Sequence, residues 1–187
     1  MRPVLAALLH YPVLDRAGHV VTTAITNLDL HDLGRSAYTY GVRALYIVHP
    51  VTAQRELAER VRAHWVEGSG MRRIPDRRPA MQILSVVPSL GDVLDEQGGR
   101  AALEMWATGA SARHPRQLSH PGARARLDTA GPPVLLLFGT GWGLGEEVFA
   151  EADAQLEPIR SARSDGYNHL SVRAAAAITF DRLLGSP

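Results

Sequence analysis

An α/β domain with a mostly parallel central sheet is what three features of this sequence predict. The run Val134-Leu135-Leu136-Leu137-Phe138 is continuously apolar and of strand length, the pattern of a strand buried on both faces. It ends in Gly139-Thr140-Gly141-Trp142-Gly143-Leu144-Gly145, a glycine-dense turn that leads through Glu146 and Glu147 toward a helix. A strand-to-turn junction of this kind exposes backbone N–H groups to a ligand. Strand-like and helix-like segments also alternate along the chain, with no internal repeat, low-complexity tract or linker. At 187 residues there is material for one domain with a full core.

The elements follow in order. Val4 to Leu9 reads as a buried strand, with turns at His10-Tyr11-Pro12 and at Asp15 to Gly18. Val20 to Thr26 is extended in character because its residues are β-branched. Asn27 or Asp29 caps a helix to about Tyr40 whose apolar stripe is Leu28, Leu33, Ala37 and Tyr40, and Gly41 ends it. Val42 to Val48 is a strand. Thr52 caps the next helix, lined by Leu57, Val61 and Trp65 and stopped at Gly68-Ser69-Gly70. Arg72 to Pro79 is a polar connection, Met81 to Val87 an apolar stretch, and Pro88-Ser89 opens a short helix that ends at Gly98-Gly99. Ala101 to Ala107 is ambiguous between helix and strand; a parallel sheet favours a strand ending near Thr108-Gly109.

His114 to Leu127 reads as a basic helical segment broken by Pro121-Gly122. Glu146 to Ala150 starts a short helix whose acidic first turn suits the helix dipole. Leu156 to Ile159 is a brief extended piece, Arg160 to Tyr167 a polar loop. Asn168 or His169 then sets up a last helix to Leu184, with Leu170, Ala174, Ala177 and Ile178 on its packing face.

Composition excludes several classes. The absence of cysteine removes disulfides, thiolate metal sites and a cysteine nucleophile. The eight histidines have no compact metal-binding spacing, so no metal is expected, and there is no G-x-S-x-G elbow for a serine hydrolase. No apolar stretch approaches membrane-spanning length and no signal-peptide pattern follows Met1, so a cytoplasmic protein is expected. The net charge of +1 says little about partners. Basic residues are grouped, at Arg72, Arg73, Arg77 and Arg78 and again from Arg113 to Arg126, either to meet phosphates or as solvated faces.

The glycine turn lacks the two-residue gap of G-x-G-x-x-G, and no lysine follows it as a phosphate-cradling loop requires. It is either a mobile surface turn or a neutral site for a flat, uncharged group such as adenine. Two polar concentrations accompany it. Asn27, Asp29, Asp32 and Arg35 fit a capped helix with a surface ion pair, or an arginine placed against a phosphate or an acceptor hydroxyl. Tyr167 to Arg173 fits a helix cap, or a ligand site using Asn168, Ser171 and free backbone N–H groups. Glu146, Glu147, Asp153, Glu157 and Asp165 are the carboxylates near the turn.

Three segments together resemble the SPOUT superfamily of RNA methyltransferases, and within it the small bacterial RNA methyltransferase-like family. TNLDLHDLGRSAYTYGVRALYIVHP, from Thr26 to Pro50, resembles the first motif, with Asn27 at a strand end and Arg35 on the helix. LLLFGTGWGLGEE resembles the second motif. LEPIRSARSDGYNHLSVRAAAAITFDRLL resembles the third, a proline-containing strand and a polar loop leading into a small-residue helix. The third motif departs from the ribose methyltransferase form S-L-N-V-S-V, which leaves 2′-O chemistry unassigned.

The resemblance implies a deep trefoil-knotted α/β/α fold and a homodimer holding bent S-adenosylmethionine near the subunit interface. The substrate it implies is structured RNA, tRNA or rRNA. The adenosine pocket falls on Thr108 and Gly109, on Phe138, Gly139, Thr140, Gly141, Gly143 and Leu144, and on Pro158 and Ile159. Asn168, His169, Leu170 and Val172 complete it. Catalytic roles fall on Arg35 for the acceptor phosphate or hydroxyl, Asn168 and Ser171 for pocket polarity, and Glu146 or Asp165 as base, with Asn27 of the first motif in the same set. The competing readings are a non-catalytic RNA- or protein-binding module with Trp142 or Phe149 filling the pocket, and an unrelated small-molecule nucleotide enzyme.

Overall fold

The computed structural model describes residues 1–186. The chain begins with β1 (Val4–Leu9), a hairpin of β2 (Val13–Leu14) and β3 (Val20–Val21), α1 (Asn27–Thr39) and β4 (Leu45–Val48). Next come α2 (Thr52–Val66), α3 (Ser69–Arg73), α4 (Arg78–Gln82), β5 (Leu84–Val87), α5 (Leu90–Glu96) and β6 (Glu104–Ala107). The remainder is β7 (Gln117–Leu118), α6 (His120–Leu127), β8 (Val134–Gly139), α7 (Glu146–Glu151), β9 (Ala154–Leu156) and α8 (Val172–Leu184).

Seven strands form one sheet in the order β5-β4-β1-β8-β6-β9-β7, every pairing parallel. The two continuous apolar runs, β1 and β8, lie side by side at its centre, with Val4 opposite Val134 and Leu9 opposite Gly139. Alternation along them sorts the core into two halves. Val4, Ala6 and Leu8 join Leu33 of α1, Ala58 of α2, Met81 of α4, Ala123 of α6 and Phe180 of α8. Leu5, Ala7 and Leu9 join Val93 of α5 and Val148 and Phe149 of α7. The result is a three-layer α/β/α arrangement.

Several boundaries differ from the sequence expectation, each for a local reason. Thr26, not Asn27 or Asp29, caps α1: its hydroxyl accepts the Asp29 N–H at 3.2 Å. Leu28 is 61% exposed, while Asp29 occupies the buried position beside it. Thr52 is the first residue of α2, and its cap Val51 has no side chain to offer; Arg55 reaches back to the carbonyls of His49 and Pro50 instead. The supposed polar connection from Arg72 to Pro79 contains the end of α3, a 3-10 turn and the start of α4. Pro121 opens α6 rather than breaking it, since proline in the first turn removes an N–H that had no helical partner. Ser171, not Asn168 or His169, caps α8 through the Ala174 N–H.

At the edge of the sheet where the strands begin, Glu104 is buried between Arg2 (2.8 Å) and Arg126 (2.7 Å) and accepts the Trp106 indole N–H at 2.7 Å. Burial alone would raise its pKa; the hydrogen bonds from Arg126, Trp106 and Arg2 outweigh it and bring it down to about 2. A depressed carboxylate stabilises the fold above its ordinary pKa, and that contribution is lost as pH falls through the folded value. Glu104→Gln is therefore expected to cost on the order of 3 kcal/mol at neutral pH. It should also flatten the acid limb of stability below about pH 4.5, read by denaturant titrations at several pH values.

Candidate functional site

In open parallel sheets the strand carboxyl ends diverge and leave a crevice for ligands. Here that edge carries a cavity of about 790 Å³. Its floor is the end of β8, from Phe138 through the glycine turn. One wall is Thr108 to Ser111 after β6, another is Leu156, Glu157 and Ile159 after β9, and residues 168–172 with the first turns of α8 close a third. Thr23, Thr26 and Asp29, from the segment that enters α1, close the fourth.

The turn keeps its shape through glycine at two positions. Gly139 lies so close to the returning chain that a Cβ there would meet the Leu144 nitrogen at 2.8 Å. Gly141 has φ +58°, and a Cβ would sit 2.8 Å from the Leu14 carbonyl oxygen. The turn is thereby sewn to the hairpin: Trp142 N–H donates to Leu14 O at 2.9 Å, Leu14 N–H to Gly143 O at 2.9 Å, and Gly145 N–H to Pro12 O at 3.0 Å.

Beneath this wall two histidines hold Thr23. His49 Nε2 donates to the Thr23 carbonyl at 2.9 Å while its Nδ1 accepts the Val51 N–H at 3.0 Å, so its tautomer is set by the network. His10, fully buried, places Nδ1 3.0 Å from the Thr23 hydroxyl, which in turn meets the Thr140 hydroxyl. Thr140 donates onward to the Leu9 carbonyl at 3.3 Å, so the consistent order has His10 donating to Thr23 and Thr23 to Thr140. Burial, followed by the neighbouring His49, lowers the His10 pKa to about 4, and the ring is neutral at physiological pH.

The cavity holds two carboxylates. Asp29 is saturated: Arg173 of α8 bonds one oxygen at 2.7 Å and the Thr26 hydroxyl the other at 2.6 Å, which ties α1 to α8. Glu157 accepts both the backbone N–H (2.8 Å) and ring Nδ1 (3.0 Å) of His120 on a single oxygen. Its other oxygen has no protein hydrogen bond among the described residues. The His120 backbone and side-chain bonds, in that order, lower the Glu157 pKa, so it remains an acceptor. Among the described residues no arginine lines the cavity.

Of the residues expected to hold adenosine, Thr108, Gly109, Phe138, Gly139, Thr140, Gly141 and Gly143 line the cavity, as do Ile159, Asn168, His169, Leu170 and Val172. Leu144 is packed beneath the turn at 1% exposure, and Pro158 faces an adjoining groove. The expected catalytic set is dispersed. Asn168 and Ser171 line the cavity, but Asn168 donates to the Ile159 carbonyl at 3.0 Å and Ser171 caps α8. Asn27 and Arg35 are exposed on α1 outside the wall. Glu146 is paired with Arg113, and Asp165 with Arg163, and neither carboxylate lines the cavity. Sequence reasoning did not single out Thr23, His120 or Thr179. His120 and Glu157 lie 37 residues apart, with no local pattern to link them. Thr26-x-x-Asp29 did carry a capping-box signature.

A parallel α/β/α sheet with a neutral, glycine-floored cavity at its carboxyl edge defines a protein that binds a nucleoside-like ligand. The family model described as SAM-dependent RNA methyltransferase matches residues 3–185, and the chain belongs to that family, in agreement with the motif resemblance. The tRNA (guanine-N(1)-)-methyltransferase of Nitratidesulfovibrio vulgaris is 42% identical over 184 residues, covering 98% of this chain but only 42% of that protein. An uncharacterized protein of Aquifex aeolicus is 36% identical over 185 residues, covering 96% of this chain and 87% of its own length. Among solved structures, TrmJ from Z. mobilis ZM4 has a TM-score of 0.65 at 14% identity, over 99% of this chain and 69% of that chain, a likeness of fold.

Gly141→Ala is expected to destabilise the protein by more than about 1–2 kcal/mol, the cost of a Cβ in the left-handed region alone, because the new methyl also meets the Leu14 carbonyl oxygen. Chemical denaturation measures it. Gly143→Ala, at φ +105° but in open space, separates backbone strain from the clash with Leu14.

Proposed function

We propose that this domain is an S-adenosylmethionine-dependent methyltransferase acting on tRNA or rRNA. The observation that carries the reading is the cavity itself, neutral and walled by glycine backbone, in a chain of this family. A triphosphate would need cationic partners that the wall does not offer. Phe149 is buried under Arg113, and Trp142 is 56% exposed beside the opening, so neither fills the space as the binding-module reading requires.

The residues present fit the cofactor. Phe138, Leu156, Ile159 and Leu170 offer apolar contact to a flat base, and the backbone of Gly139 to Gly143 offers polar groups at close approach. The unpaired oxygen of Glu157 accepts hydrogen bonds from ribose hydroxyls, and His120 holds the carboxylate in place for them. When bound, S-adenosylmethionine supplies a methyl group on an electrophilic sulfonium. The chain's own work is to position that group and exclude water, and to bring an RNA nucleophile in line with it. Beside the cavity a groove shares Ala110, Ser111 and Asn168 with it and carries Arg160 and Arg163; an acceptor nucleotide's phosphate meets guanidinium there.

The same reading includes a deep trefoil knot and a homodimer. Support for the knot is that Glu157, Ile159 and residues 168–171 line the same cavity as the glycine turn and the loop after β6, with His169 against Trp142, before α8 packs on α1 and α6. Support for the dimer is the exposure of Trp142 and Leu170, which line the cavity, and of Tyr167, whose ring meets that of the cavity residue His169. A second subunit there would bring its own side chains to the mouth. Arg35, Asn27, Glu146 and Asp165, outside the wall of their own chain, then act across that interface or on the RNA.

The test is incubation of the purified protein with methyl-labelled S-adenosylmethionine and unfractionated bacterial tRNA and rRNA, followed by nucleoside mass spectrometry. A single methylated nucleoside is the expected product, and no label in either RNA would defeat the proposal. Glu157→Gln is expected to weaken S-adenosylmethionine binding about tenfold, the worth of a hydrogen bond to a charged acceptor.

A further inference from the structure

One surface outside the cavity is organised in a way the methyl-donor site does not require. α3 and α4 pack against α2, the 3-10 turn between them packs on both and reaches α2 through Arg77, and α4 packs against α1. Across residues 69–82 they carry Arg72, Arg73, Arg77 and Arg78 against the single carboxylate of Asp76. Among the described residues none of these arginines has an ion-pair partner; nor does Arg35 on α1. The nearby acids are engaged elsewhere, Glu59 with Arg62 and Asp32 with Arg173.

The cluster is built around Trp65 near the end of α2. The Arg77 guanidinium stacks over its ring at 4.7 Å, while His31 of α1 and His64 meet its edges at 5.1 and 5.2 Å. With one face under Arg77 and two edges occupied, the indole is a mount for a cation rather than a platform for an incoming base. The His31 ring Nδ1 is buried without a protein hydrogen bond. Burial, and after it the charge of Arg77, lowers the His31 pKa, with Arg35 and His64 acting in the same sense against Asp32. Arg77 is thus fixed by an aromatic contact, Arg35 lies close enough to act on the same histidine, and Arg72, Arg73 and Arg78 are exposed within six residues of Arg77 along the chain. The chain has no lysine, so every phosphate contact by a permanently charged side chain must come from arginine.

We propose that the surface formed by α3, the 3-10 turn and the start of α4, which carries Arg72, Arg73, Arg77 and Arg78 beside Trp65 of α2, binds the phosphate backbone of the RNA substrate. The proposal rests on the methyltransferase reading and adds where the RNA lies. α1 links the two sites: Asp29 lines the cavity, and Arg35 stands 6 residues on, ~9 Å along the helix. RNA gripped along this flank enters the cavity mouth past the first turn of α1. The contacts are positioning ones, indifferent to sequence, because guanidinium–phosphate pairs carry no base information. Base selection is left to the cavity.

The experiment compares the wild type with Arg72→Gln/Arg73→Gln/Arg78→Gln, all exposed positions, and with the quadruple variant that adds Arg77→Gln. Affinity for unfractionated bacterial tRNA is measured across a salt series, with S-adenosylmethionine binding measured in parallel. The quadruple variant should lose about 3 units of the slope of log affinity against log salt and bind tRNA at least about tenfold more weakly at physiological salt. The triple variant should fall between, and both should bind S-adenosylmethionine as the wild type does. Unchanged slope and affinity in both variants would overturn the proposal and leave the face to an acidic protein partner. A wild type that binds S-adenosylmethionine but no tRNA would overturn it together with the tRNA reading. Wild-type tRNA binding with unaltered variants defeats only the surface assigned here.

Discussion

The pairing of β1 with β8 is the constraint on which the rest of this structure depends. Six consecutive residues of each strand are in register, from Val4 with Val134 to Leu9 with Gly139. That register ends both strands at the same level, so the turn after Gly139 and the turn after Leu9 must share one space. The glycine turn is therefore held by the Leu14 and Pro12 backbone, and Thr140 reaches the Leu9 carbonyl. A shift by one residue would exchange the two core faces along both strands and move the cavity floor away from its wall.

Neutrality is the second organising property. The cavity is polar at many points, yet the charges near it are either paired or absent. Asp29 is matched by Arg173, the two histidines behind Thr23 are low in pKa, and Glu157 is held by the backbone N–H and ring of His120. Cationic side chains are kept at the periphery, in the groove with Arg160 and Arg163 and on the face around Trp65. A ligand with a nucleoside and no phosphate suits the interior, and a polyanion suits the outside.

The parts legible from sequence were those written in local pattern. β1 and β8 announce themselves because burial on both faces leaves an uninterrupted apolar run. The glycine turn does so because positive φ and close approach admit few other residues. Twelve of the expected pocket positions line the cavity, since three motifs in order constrain where strand ends meet. Leu144 fails because the turn tucks it inward to seal the floor, and Pro158 because it faces the adjoining groove. Thr26 caps α1 where the sequence offers Asn27 or Asp29, because its hydroxyl, one residue before the helix, has the geometry to reach the Asp29 N–H. His120 with Glu157, and His10 with Thr23 and Thr140, are joined only by tertiary packing. Nothing in spacing or composition could pair them. Arg35 is exposed on α1 outside the cavity of its own chain, because its place in the motif does not fix which way it faces on the helix.

The central claim is that the neutral cavity binds a methyl donor, and calorimetric titration of the purified protein measures it most directly. S-adenosylmethionine and S-adenosylhomocysteine are titrated in turn, with ATP as the comparator that shares adenosine but adds three phosphates. The account predicts saturation at one site per chain for the first two and no measurable heat of binding for ATP. Binding of ATP with no response to either methyl-cycle ligand would contradict it.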